Sequence, residues 1–237
     1  MANFNTHATV AVSASAIGGI TIFLSGIQIP IVLLLIAIGS IGGILPDIDS
    51  DNSTSKDIVY SILSLMISTI ILFTSINELG LILSLVIAVI AFTFIKKVGH
   101  KLMSIISRHR GIIHSVPMAI ILGISSFLII NLFINDMYMS WLCSSFLVFG
   151  FLIHLILDEV YAVDFSGRTL KKSFGTALTF ISFRNNLIGY LIVYISIIFL
   201  GYFFYRDLQT FPIFLNELQK NMENNVLDKL LPVFIKI

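Results

Sequence analysis

The sequence predicts an all-α, polytopic helical membrane protein with about six to seven transmembrane helices in one bundle. Three observations predict it. Of 237 residues, 57% are hydrophobic and only 11% charged, with a mean hydropathy of +1.01. Soluble domains carry about 25% charged residues, so the solvent this chain is built for is lipid. The apolar residues fall into runs close to the about 20 residues that cross a bilayer. The ionisable residues gather at the ends of those runs.

Seven segments have the composition of spans: 8–25, 31–45, 58–76, 79–95, 116–134, 140–163 and 187–205. The second is short for a crossing at about 1.5 Å per residue and is expected to stop at Pro46. In the first, Ala11, Ser15 and Gly19 recur at every fourth position; in the second, Gly39 and Gly43 form a GxxxG pair. Small residues so spaced let helices approach closely in lipid. Threading the spans alternately puts the N-terminus and loops 46–57, 96–115 and 164–186 on one side. That side holds Lys56, Lys96, Lys97, Lys101, Arg108, Arg110, Arg168, Lys171, Lys172 and Arg184, whereas 26–30, 77–78 and 135–139 hold no Lys or Arg. The bias places the first side in the cytoplasm and the chain in the cytoplasmic membrane. Only the tail opposes it, with Arg206, Lys220, Lys229 and Lys236. Between Pro212 and Pro232, Leu215, Leu218, Met222, Val226 and Leu230 recur at helical spacing, which predicts an amphipathic helix on a membrane surface. The expected division is a transmembrane domain, 1–205, and an amphipathic tail, 206–237. No basic cluster precedes the first run, so a cleaved signal peptide is not expected. The single cysteine, Cys143, excludes an internal disulfide.

Ionisable groups at membrane depth are costly and usually functional. The threading uses only hydropathy and Lys/Arg counts, yet it brings His7, Asp47, Asp49, Asp51, His109, His114 and Asp158 to one face. His154 and Asp158 are four residues apart, so they share a side of one helix, with His154 a turn (about 6 Å) deeper. An imidazole and a carboxylate so placed suit a divalent metal. Asp47, Asp49 and Asp51 alternate just after Pro46, and clustered carboxylates normally need a cation. Asp51 reads equally well as the N-cap of the next helix. His109 and His114 flank Gly111, which permits a bend between them. Arg110 carries the fork that suits phosphate, although the same stretch also reads as a basic loop before a helix started by Ser115 and Pro117. His100, in a Lys-flanked stretch, is left outside the set. A lone His7 would be a surface or capping residue.

The order of an early His, an LPDxD segment (Asp47, Asp49), an HRGxxHS segment (His109, Arg110, His114) and an HxxxD segment (His154, Asp158) resembles the YdjM-like family of membrane-bound predicted metal-dependent hydrolases. The match covers roughly residues 5–180, and residues 173–178, SFGTAL, resemble one branch of that family. The family is thought to be distantly similar to zinc-dependent phospholipase C and P1-type nucleases. This resemblance implies metal-ligand roles for His7, Asp47, Asp49, His109, His114, His154 and Asp158. Such a set exceeds one tetrahedral metal, so it implies two or three zinc ions, with manganese or iron also suited. Asp47 would bridge the metals or orient the attacking water, and Arg110 would neutralise the phosphate. The expected function is hydrolysis of a phosphoester in a lipid or lipid-linked substrate at the cytoplasmic face, with membrane lipids as partners and no nucleic acid. The alternatives are a divalent-metal transporter, which calls for polar groups reaching both faces, and a non-catalytic, metal-stapled membrane protein. The noncytoplasmic loops hold Asn77, Glu78, Asn135 and Asp136 but no histidine, which speaks against transport. After Asp158 the chain reads EVYAVD, where many members of the family continue into an apolar, proline-containing turn.

Overall fold

Helix boundaries in the computed structural model follow local chemistry. It describes residues 3–49, 53–106, 113–164, 169–170, 175, 178, 180 and 187–234. Helix α1, Phe4–Leu24, is capped by Asn3, whose side chain accepts from the Thr6 N–H at 2.8 Å. Helices α2, Ile29–Ile44, and α4, Val116–Ile134, each carry a proline in the first turn, where an N–H would be unused anyway. Helix α4 ends at Asn135 in the left-handed region, and Asp136 then caps α5, Met137–Ala162, by accepting from the Met139 N–H. Helices α3, Ser53–Ile106, α6, Leu187–Leu208, and α7, Phe211–Phe234, complete the helical set. A two-residue antiparallel pairing, Val163 with Leu170 and Asp164 with Thr169, follows α5. Among the described residues, six segments are long and apolar enough to cross a membrane, so the chain is an all-α membrane protein.

Two compact units form: Met1–Pro46 with Gly111–Ile237, and Asp47–Arg110. Within the second unit, the expected spans 58–76 and 79–95 are both helical, as arms of α3. Helix α3 is interrupted at Gly80, whose φ of 75° and ψ of 165° are not helical. Lys96 and Asp57 meet at 2.9 Å, which brings the two arms side by side as a hairpin. Both side chains are partly exposed, so Asp57→Asn is expected to lower the melting temperature in detergent by no more than ~1 kcal/mol of stability implies.

The first unit is held together by small residues. On α1, Ala11 meets Gly43 of α2, Ser15 meets Gly39, and Gly19 lies under Ile36 and Val32. The stripe read from the sequence is therefore the α1–α2 seam. Gly150 of α5 in turn lies against the backbone of Gly39 and Gly43, and Gly42 against that of Leu147. Main chain thus touches main chain between α2 and α5. Helix α2 stops at Ile44, before Pro46 as expected, and a separate 3-10 turn, Leu45–Asp49, runs on through the proline, giving a candidate span Ile29–Asp47.

The other end of this unit is aromatic. Trp141 packs on Phe127, Phe204 and Phe211 at centroid distances of 4.6, 5.4 and 4.7 Å, and its indole N–H donates to Thr210. Phe214 is buried there with Leu218 packed alongside, and Asn225 donates to the Ser25 carbonyl. Helix α7 is therefore built into this unit through its first turns. The apolar stripe that suggested a membrane-surface helix spends Leu218 on protein.

Candidate metal site

Four side chains converge at the end of the first unit opposite the aromatic cluster. Helix α1 brings His7 in its first turn, the residues leading into α4 bring His114, and the last turns of α5 bring His154 and Asp158. All four are buried. Asp158 is the centre. Its Oδ1 accepts from His7 Nε2 at 3.1 Å, while Oδ2 lies 3.7 Å from His154 Nε2 and 3.9 Å from His114 Nε2. The His7 and His154 rings stack with centroids 3.7 Å apart and planes 13° from parallel, presenting both Nε2 atoms to one carboxylate. One ligand atom each from His114, His154 and Asp158 falls within 4.8 Å of the others.

The orientation of His154 is set by a backbone group. Its Nδ1–H donates to the Gly43 carbonyl at 2.7 Å, which makes Nε2 the lone-pair nitrogen. A backbone carbonyl behind a ligating imidazole is the usual way such a ring is aimed. This bond depends on α2 lying against α5 and so on the glycine contacts above.

The donor set fits a divalent cation. His114, His154 and Asp158 offer the mixed nitrogen and oxygen ligands of zinc sites, with His7 donating to Asp158 beside them. Asp158 supplies the only formal negative charge of the four. The His7 Nδ1 is buried with no hydrogen-bond partner among the described residues, and buried polar atoms of that kind call for a bound group.

The sequence-predicted residues divide accordingly. His7, His114, His154 and Asp158 come together. Asp47, half-buried, opens the second unit within the 3-10 turn, and Asp49 ends that turn. Asp51, His109 and Arg110 lie outside the described residues. The reading of Ser115 and Pro117 as a helix start is met: Ser115 is the N-cap of α4. Sequence reasoning missed the Gly43 carbonyl, because backbone acceptors have no residue signature; the GxxxG pair marked close packing at that position, but not its consequence. It also missed Glu159, which accepts from the Gly175 N–H at 3.0 Å.

Fold and cluster together define a polytopic helical membrane protein with a buried histidine–aspartate centre able to hold a metal ion. The chain belongs to the YdjM inner membrane protein family, whose model matches residues 1–208. No curated protein and no solved structure matches it.

Proposed function

We propose that the chain is a metal-dependent hydrolase of a phosphoester in a membrane lipid or lipid-linked substrate. The buried convergence of His7, His114 and His154 on Asp158 carries this reading. Structural stability gains nothing from three imidazoles packed around one carboxylate at membrane depth, where ionisable groups are kept for function. A bound divalent ion would supply a Lewis acid and lower the pKa of a coordinated water. The chain's own part is to hold the donors still: Gly43 fixes the His154 ring, His7 donates to Asp158, and burial keeps bulk water from competing. Four residues suit at least one ion, and zinc is the ion favoured, ahead of manganese or iron. The roles read from the sequence for Asp47 and Arg110, orienting a water and gripping phosphate, belong to the same reading. The cluster lies where α1 and α4 begin and α5 ends. By the threading of the sequence these ends belong to the side rich in Lys and Arg, which supports a cytoplasmic site.

The test is elemental analysis of detergent-purified protein, followed by a screen of lipid phosphates and phosphodiesters. Bound divalent metal and phosphate or alcohol release that stops on chelation are expected. Metal without turnover of any lipid phosphate would favour the metal-stapled alternative, and absence of metal would remove the enzyme reading. Arg110→Lys is expected to weaken substrate use while metal content holds, since a point charge does not reproduce a two-pronged grip. Equal loss of both would make Arg110 structural.

A further inference from the structure

We propose that α7 lies flat across the end of the first unit farthest from the His/Asp cluster, as an interfacial helix seated on protein and flanked by the lipid of that leaflet. Amphipathicity alone says neither which membrane surface such a helix takes nor what lies beneath it. The anchors of α7 answer both. At its start, the Thr210 hydroxyl accepts from the Trp141 indole N–H at 2.9 Å, and Phe211 packs on the same ring. One turn on, Phe214 meets Tyr138 with ring centroids 5.3 Å apart. Further along, the Asn225 amide donates to the Ser25 carbonyl at 3.0 Å. Tyr138 and Trp141 belong to the first two turns of α5, and Ser25 is the C-cap of α1.

Helices α1 and α5 serve as rulers, because each carries part of the cluster. By axial rise, Trp141 stands ~20 Å along α5 from His154, and Ser25 stands ~27 Å along α1 from His7. Thr210 and Asn225 are themselves ~22 Å apart along α7. A helix returning through the membrane would carry Asn225 that whole distance toward the cluster. Instead both ends of this stretch are held at nearly one level, ~7 Å apart in height by the same rise, so it runs within ~20° of the membrane plane. The side chains around α7 fit that seat. Phe211, Phe214, Leu218 and Asn225 share one side, and the first three join the core that holds Ile22, Val32 and Trp141. Asn216, Gln219, Lys220 and Glu223 are exposed on the other, where Gln219 donates to Glu223 at 2.8 Å. Ile213 and Leu215, on either side of buried Phe214, are 65% and 44% exposed. Helices α1, α2 and α5 each contain a candidate span, so lipid surrounds the end on which α7 rests. Apolar side chains at the edges of a helix with a polar outer side are what the headgroup–acyl boundary accommodates. Seated there, α7 adds a layer over the apolar core and closes that end of the bundle, which runs against transport and its need for a polar path to both faces. The seat of α7 holds whether or not the cluster hydrolyses anything.

Cys143 is buried, so single cysteines added to the full-length protein at Asn5, Leu215 and Glu223 report against a low wild-type background. In right-side-out membrane vesicles, an impermeant maleimide is expected to label Glu223→Cys at once and Asn5→Cys, beside the cluster, only after the membrane is opened. Nitroxides at Leu215→Cys and Glu223→Cys are expected to differ in kind. The first should be several-fold more open to oxygen than to a water-soluble nickel chelate, and the second the reverse. Labelling of Asn5→Cys and Glu223→Cys from the same side would overturn the proposal. So would chelate access at both nitroxides, the result for a tail free in water, or oxygen access at both, the result for a further span. Exchange of the two sides would keep α7 opposite the cluster and overturn only the cytoplasmic placing of the site. None of these readouts needs bound metal, so loss of the hydrolase reading would leave them standing, and their failure would leave metal binding standing.

Discussion

Asp158→Asn is expected to strip the protein of divalent metal while leaving it folded in the membrane. The amide keeps the shape of the side chain but removes the one formal negative charge that three imidazoles face within 4 Å. Replacing a partner that merely orients a ligand typically costs 10–100-fold in metal affinity. A ligand shared by the whole cluster is expected to cost at least the upper figure, about 100-fold. The metal-free fold loses much less. The new amide still has a carbonyl to accept from His7, so the deficit is that of one altered buried hydrogen bond, about 1–3 kcal/mol. Two measurements separate these effects: metal per protein by elemental analysis, and melting temperature with and without chelator. Wild-type protein should melt lower once chelated, because an ion that binds only the native state stabilises it by mass action. Asp158→Asn should be indifferent to chelator. His154→Ala is expected to behave alike. Unchanged metal stoichiometry in either variant would remove these residues from the site.

What the sequence disclosed was whatever a single helix can display. His154 and Asp158 share a side of α5 because they are four residues apart, and no neighbour is needed to infer it. The Ala11, Ser15 and Gly19 stripe and the Gly39 and Gly43 pair were legible for the same reason, and the fold joins them to each other. What required a second helix was hidden. His7 comes to Asp158 only because α1 packs beside α5, and motif order rather than periodicity suggested it. The α-helical run does stop before Pro46, as hydropathy suggested, but hydropathy gave no sign of the 3-10 turn that follows through the proline, which lacks an N–H but not the required φ. Asn77 and Glu78 looked like a loop by polarity, but α3 is interrupted at Gly80, the residue that tolerates positive φ. The tail's apolar stripe was visible; that Leu218 would pack on protein while Leu215 stays exposed was not, because an apolar face does not say whether protein or lipid covers it.

Gly150→Ala tests whether the site depends on helix approach. A Cβ at Gly150 would run into the Gly39 carbonyl oxygen and stand 2.9 Å from the Gly43 nitrogen. Both obstacles are backbone, so no rotamer change relieves them, and α2 must move away from α5. Overpacking of a tight interface costs about 1–3 kcal/mol, and a backbone-on-backbone clash belongs at the top of that range, ~3 kcal/mol. The displacement has a chemical consequence as well. Helix α2 carries the Gly43 carbonyl that accepts from His154 Nδ1 at 2.7 Å, and a shift of about an ångström would take that pair beyond hydrogen-bond length. The His154 ring would then be able to turn, and metal affinity should fall 10–100-fold although no ligand has been altered. Gly201→Ala is the control, because a Cβ there meets nothing within 4 Å, and it should melt within ~1 kcal/mol of wild type with full metal content. Thermal melting and elemental analysis of the two variants decide the matter. Should Gly150→Ala melt and load metal as Gly201→Ala does, α2 and α5 are not in backbone contact, and the aiming of His154 must come from elsewhere.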